Sequence, residues 1–376
     1  MRDSTIDICK GVAIILMVAG HAEVPTLFSN FIYVWHMPLF FIASGWFFTA
    51  KTAADPWRFC VKRFRGLYVP FLTWSLVFLL THNLWFHVGL LSEEFGNWEG
   101  GVTHPYSWRE FLHRLMLIVT SMSGYDEFMA GAFWFFRGLL VASLVFMALY
   151  LLAGQAQTQV TSSPRRAAWL SSPLLIPIAV CLAAYLFQAF RLGNGFTLKY
   201  LPNGGLREVW GVFFIGIGVL LRALEGRWSR RWWLALICLG VVVLGATQHW
   251  CGMNNRGQLR DLLTLPLTGT AGFVMCHYFA TKIGSLRAPV AAWLAHAGRN
   301  SLYIFIFHII SFKPVSALKA WWYDLDPGQI GCHMVIHHRN HEDLFWVLYT
   351  VVGVALPLLG LALVRKWKER RNLQAA

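Results

Sequence analysis

Charge is what this 376-residue chain has least of: only 13% of its residues are Asp, Glu, Lys or Arg, about half the share of a soluble domain. That shortage excludes an ordinary water-exposed globular fold. Acid is scarcer still, with 18 Asp and Glu against 32 Lys and Arg. Alternation is also missing: the apolar runs are continuous, which excludes a membrane β-barrel and leaves helices. The seven cysteines contain no CxxC pair, and Cys181, Cys238 and Cys276 lie in apolar runs, where they read as small apolar residues. Cys251 and Cys332 fall between apolar runs and are open to a disulfide, because sequence does not give their separation. No fixed-period repeat and no inverted pair of broken helices is present, which weakens a transporter reading. No small-residue cleavage site follows the first apolar run, so that run is expected to remain in the chain.

What is present is hydrophobic residue, 57% of the chain. Runs such as 139–153, 234–246 and 344–364 approach or reach the roughly 20 residues that cross a bilayer. The pattern predicts an all-α integral membrane protein with about ten transmembrane helices, near 8–27, 30–49, 67–88, 132–153, 169–190, 207–223, 232–249, 261–280, 299–315 and 344–364. The whole chain, 1–376, reads as one membrane domain. On one side of these spans lie Lys51, Arg58, Lys62, Arg63 and Arg65, then Arg165, Arg166, Arg222, Arg227, Arg230, Arg231, Lys282 and Arg287, and a basic tail, 365–376. The other side collects Glu93, Glu94, Glu99, Glu110, Asp126, Glu127, Asp324, Asp326, Glu342 and Asp343. Lys and Arg accumulate on cytoplasmic segments, so both termini are expected in the cytoplasm. The net charge of +14 is therefore mostly topology, and no nucleic-acid partner is expected. Between the third and fourth spans, "SWREFLHRLMLIVTSMS" has an apolar face but is charged, and is expected to lie in the interface or dip back into the membrane.

Two polar residues bound the first apolar run, Lys10 and His21. Eleven positions at 100° each return within about 20° of three full turns, so on a helix they share a face about 16 Å apart. Asp7 lies on that face one turn earlier. Lys10 either contacts a ligand or snorkels to the interface; Asp7 either pairs with it or is a helix-start carboxylate. His36 in the second span is expected at a depth similar to His21, facing a cavity rather than lipid. The basic stretch containing Arg58, Lys62, Arg63 and Arg65 serves as positive-inside anchoring, as a polyphosphate site with forked guanidinium hydrogen bonds, or as both.

Six segments then spell out a pattern: "IDICKGVAIILMVAGH", "WHMPLFFIASGWFF", "KRFRGLYVPF", "AFWFFRGLL", "FFIGIGVLLR" and "GRNSLYIFIFH". In this order they resemble the membrane-bound acyltransferase 3 family, in particular its surface-polysaccharide or fucose O-acetylase-like branch. The resemblance implies an enzyme that takes an acetyl or similar acyl group from cytoplasmic acyl-CoA. The acceptor it implies is a hydroxyl of a cell-surface glycan or its lipid-linked precursor, at a bacterial plasma membrane. The family's basic residue and histidine, with ten residues between, fall on Lys10 and His21, and its basic cytoplasmic loop falls on Arg63 and Arg65 with Lys62 beside them. Lysine in place of the family's common arginine keeps the charge but loses the planar fork. The "WFF" at Trp134–Phe136 is followed by Arg137, which needs a partner such as Asp126, Glu127 or substrate. The late segment supplies Asn300 and His308.

These residues give a set of expected roles. Catalysis falls to His21, supported by Lys10 and Asp7; the donor is held by Lys10, Lys62, Arg63 and Arg65; the acceptor is met by His36, Trp134, Arg137, Asn300 and His308. The donor is a co-substrate, acetyl-CoA or another acyl-CoA, with no permanently bound cofactor. His21 acts either as a general base or as an acyl-carrying nucleophile. Tyr106, Trp108, Tyr125, Trp321 and Trp322 either stack on sugar or form interfacial belts. The alternatives are a small-molecule transporter without acyl transfer, and a metal sensor using His333, His337 and His341 with His338, Glu342 and Asp343. No metal is expected.

Overall fold

The computed structural model describes residues 4–95, 103–161, 172–199, 201–250, 252–253, 257–286, 288–333 and 343–375, and among these every regular element is helical. The helices of eight residues or more are α1 (Ser4–Gly20), α2 (Thr26–Tyr33), α3 (His36–Trp46), α4 (Pro56–Arg63), α5 (Val69–His87), α6 (Trp108–Ser121) and α7 (Trp134–Thr161). They continue with α8 (Leu175–Asn194), α9 (Leu206–Ala223), α10 (Trp232–Thr247), α11 (Asp261–Ser285), α12 (Pro289–Arg299), α13 (Ser301–Trp322) and α14 (Phe345–Ala375). Among the described residues, eight stretches are long and apolar enough to cross a membrane, and they coincide with eight of the ten expected spans. The other two fall on α1, with 17 residues, and α10, with 16, each about 25 Å long at 1.5 Å per residue.

Three boundaries differ from expectation. The first span stops at Gly20: the His21 amide still bonds to the Met17 and Val18 carbonyls, but Glu23 takes a left-handed φ of 60° and Pro25 follows. His21 thus sits just past a helix end, not within a helix. The second span is two helices, broken at Val34 and Trp35; Pro38 lies in the first turn of α3, where a missing N–H costs nothing. The basic stretch is no loop, because α4 runs through a π-helical turn, Phe64–Tyr68, straight into α5. Likewise the basic tail is the unbroken end of α14. α6 is capped by Ser107, whose hydroxyl accepts from the Glu110 amide at 3.3 Å, and leaves Trp108, Leu112, Met116 and Val119 exposed at helical spacing, as an interfacial helix requires.

The chain divides into two compact units. The first holds residues 1–13, 26–70 and 135–292. Its centre is the crossing of α3 and α9, made close by paired glycines. A Cβ on Gly45 would overlap the Ile215 backbone, and one on Gly218 would overlap that of Ile42. Small residues allow helix backbones this near, where dispersion and weak hydrogen bonds replace the absent hydrophobic drive of a membrane. α11 joins the same way, Gly272 lying under the Trp35 ring and Gly269 against Phe214 and Pro38.

The second unit holds residues 14–25, 71–134 and 293–376. Here α13 packs along α14, and Gly353 leaves space that the Phe312 ring and Val18 fill. Phe312 is fully buried, 5.2 Å from the Tyr349 ring, and the Tyr349 hydroxyl meets Ser316 at 3.0 Å. Phe133 stacks on Phe305 at 5.8 Å, and Trp74 meets Phe307 edge-on at 4.5 Å.

Candidate active site

Three imidazoles converge in the second unit. His21, carried just beyond α1, meets His308 of α13 edge-to-face with ring centroids 5.2 Å apart. On its other contact it stacks with His333 at 6.0 Å and an interplanar angle of 25°. His308 is 1% exposed, and its Nδ1–H donates to the Phe305 carbonyl at 2.9 Å. A carbonyl only accepts, so this bond fixes the tautomer and leaves Nε2 with its lone pair. That Nε2 is buried without a hydrogen-bond partner among the described residues. Burial, then the neighbouring His21, His308 and Lys313, hold His333 well below the ordinary histidine pKa. The cluster is therefore built from neutral rings, and its chemistry is that of proton acceptors.

His333 was the residue sequence reasoning left outside the site. Its pattern with His337 and His341 suggested a metal loop, but residues 334–342 lie outside the described residues. No group of three metal-ligating side chains occurs among those described. The structure instead seats His333 through its backbone. The 3-10 turn Pro327–Gly331 precedes it, with Asp326 Oδ1 accepting from the Gly328 amide at 2.7 Å. Cys332 is a free thiol whose Sγ donates to the Phe95 carbonyl at 2.9 Å, and burial pushes its pKa up to about 11. Cys251, with which the sequence leaves a disulfide open, lies outside the described residues.

The basic residues belong to the first unit. Lys10 places its ammonium 5.3 Å from the Phe47 ring centroid, a cation–π arrangement. Arg63 donates from Nη2 to Ser44 Oγ at 2.6 Å and lies over the Phe59 ring at 5.0 Å. Lys62 and Arg65 are exposed. The π-helical turn begins just after Arg63 and contains Arg65, and such turns recur at functional sites because they re-aim side chains without ending the helix. Asp7 is buried in the first turn of α1.

The remaining expected residues divide between the units. His36 is buried at the start of α3; its Nδ1–H donates to the Ile32 carbonyl at 2.8 Å. Trp134 is buried at the start of α7. The acidic partner of Arg137 is Glu208 on α9, Nε to Oε1 at 3.2 Å, with both side chains 4% exposed. Asp126, one of the expected partners, accepts instead from His82 at 2.7 Å and from the Phe128 and Met129 amides. Asn300 joins helices: Nδ2 donates to the His296 carbonyl and Oδ1 accepts from Arg365 at 2.9 Å. It lies about 12 Å along the helix from His308, so the two need not act together. Of the aromatic candidates, Tyr106 is stacked on His82 at 3.5 Å and Tyr125 packs on Phe71 and Phe133, whereas Trp108, Trp321 and Trp322 are exposed.

The family model for the acyltransferase domain matches residues 3–363, nearly the whole chain. No curated protein and no solved structure matches it.

Proposed function

This chain belongs to the acyltransferase 3 family and is a multi-pass membrane acyltransferase; from that premise we propose that it moves an acetyl or similar acyl group from cytoplasmic acyl-CoA to a glycan hydroxyl. The acceptor is a cell-surface glycan or its lipid-linked precursor, at a bacterial plasma membrane with both termini inside. The observation that carries this reading is the contact of His21 with His308, whose tautomer is locked by the Phe305 carbonyl.

The step runs as follows. The acceptor hydroxyl oxygen attacks the thioester carbonyl carbon as a ring nitrogen of His21 takes the hydroxyl proton. The new C–O bond forms, the C–S bond breaks, and the departing CoA thiolate recovers the proton from the imidazolium. Nothing is oxidised or reduced. His308 supplies a fixed lone pair beside His21 and steadies the transient cation. A positioned base of this kind contributes about 10²–10⁴-fold. Donor phosphates are assigned to Arg63, Arg65 and Lys62, with Lys10 as a further cation. The exposed Trp321 and Trp322, close in sequence to the loop that carries His333, are suited to stacking on sugar rings.

The test is transfer of labelled acetyl from acetyl-CoA in membranes carrying the His21→Ala chain. We expect transfer to vanish while the chain accumulates normally and keeps its thermal midpoint. Full activity in that variant overturns the proposal. Comparing glycan O-acetylation by mass spectrometry with and without the chain identifies the acceptor.

A further inference from the structure

α13 carries a lysine in its apolar middle. Lys313 is 4% exposed, and an ammonium inside a membrane protein is expensive enough to demand a purpose. Among the described residues its hydrogen bonds do not go to a carboxylate. Nζ donates to the Ile330 carbonyl at 3.0 Å and the Cys332 carbonyl at 2.6 Å. Both acceptors are main-chain oxygens in the three residues before His333. Charge-assisted bonds of this kind are about twice as strong as neutral ones, and here two of them converge on one short piece of backbone.

The same piece is held elsewhere. Gly331 lies so near Ser92 that a Cβ would overlap it, and Cys332 Sγ reaches the Phe95 carbonyl. These contacts press the segment against residues 91–95, while Lys313 ties it to the helix that also bears His308. α13 thus supplies one ring of the cluster directly and anchors the backbone that delivers another. His333 Nδ1 is enclosed and makes no hydrogen bond among the described residues, so its ring is held by this backbone and by stacking on His21.

We propose that Lys313 is a positioning residue for acyl transfer: by binding the Ile330 and Cys332 carbonyls it seats His333 on His21, where His333 meets the acceptor hydroxyl. The inference rests on His21 as the reactive base. His333 comes from the segment between α13 and α14, on the side assigned to the acceptor, and offers a neutral ring there. It orients the hydroxyl toward His21 rather than taking its proton, so the reaction balance is unchanged.

The experiment is a double-mutant cycle on the full-length chain in membranes, with labelled acetyl-CoA as donor and the host's glycan as acceptor. His333→Gln is expected to lower kcat about tenfold or more, within the range of a lost positioned imidazole, with KM for acetyl-CoA unchanged. Lys313→Met, close in length but without donors, is expected to lower kcat similarly. Because Lys313 acts through His333, the double variant should fall within about twofold of His333→Gln alone, as coupled residues do. Lys313→Arg, which restores donors, should recover part of the loss. Losses that multiply in the double variant overturn the proposal, as does wild-type kcat in His333→Gln. If Lys313→Met does not accumulate, the His333→Gln kinetics still decide. The parallel His21→Ala chain separates the two ideas. An active His21→Ala removes the premise, whereas an inactive one beside fully active His333→Gln and Lys313→Met removes this proposal alone.

Discussion

Both units bury opposite charges, the second in Lys319 with Asp343 at 2.9 Å and His82 with Asp126 at 2.7 Å, but the second also sets like groups side by side. In the first, Arg137 faces Glu208 at 3.2 Å, opposite charges set against each other between α7 and α9. In the second, His21, His308 and His333 face one another, like groups in contact, and a buried lysine is bound to carbonyls rather than to a carboxylate. Opposite partners hold a structure together, and their loss is a loss of stability. Like partners gain little from each other, and under the proposed function their arrangement serves a proton in transit.

The sharpest way to break this contrast is to unpair the first unit. Arg137→Met removes the ion-pair partner of the buried Glu208 and is expected to cost about 3–5 kcal/mol of stability, read as a lower thermal midpoint in detergent. Changing Glu208→Leu as well should restore part of it, and the protein that survives should keep the wild-type kcat. A large kcat loss in the double variant would move this pair from scaffold to site. Next in size is His308→Gln, expected to lower kcat about 10²-fold, or roughly 2.7 kcal/mol of barrier, with little change in midpoint. His36→Asn, the first unit's counterpart, should instead move the midpoint more than kcat.

A smaller effect follows from pH. His333 is held below the ordinary histidine value near 6.5, chiefly by burial. Below about pH 6.5 the unfolded chain therefore binds more protons at this position than the folded one, so native stability falls on acidification and is insensitive to this group above that pH. The midpoint difference between pH 7.5 and 5.5 should shrink in His333→Gln, and an unchanged difference would show that this ring does not carry the acid sensitivity. Smallest is the response of Cys332. With its pKa pushed up to about 11, about one thiol in a thousand is ionised at pH 8. Alkylation in the folded chain should be correspondingly slow, and Lys313→Met should change its rate by exposing the segment.

Much of this was legible in the sequence, and the rest failed for identifiable reasons. Apolar runs located the helices because crossing a membrane demands uniform hydrophobicity; their ends moved where local chemistry intervened, as at Gly20 and at Val34–Trp35. His21 and His308 could each be named, since polar groups in apolar runs stand out. Their meeting could not, because it joins α1 to α13 across nearly 290 residues. Asn300, eight positions before His308 and about 80° off its face, need not act with it, and its bonds run to His296 and Arg365. Glu208 and Lys313 carried the same signal as Arg137, a charge within or beside an apolar run, yet the sequence reading passed over both.

α14 continues as helix through Arg365, Lys366, Lys368, Arg370 and Arg371, and Arg365 fastens it to Asn300 at the junction of α12 and α13. At 100° per residue these five cations surround the axis instead of lining one edge. The last stretch is thus a stiff charged post rather than a tether. A fluorescent reporter grafted rigidly onto it would turn with the membrane helices, and its polarisation would register tilt of the second unit during turnover.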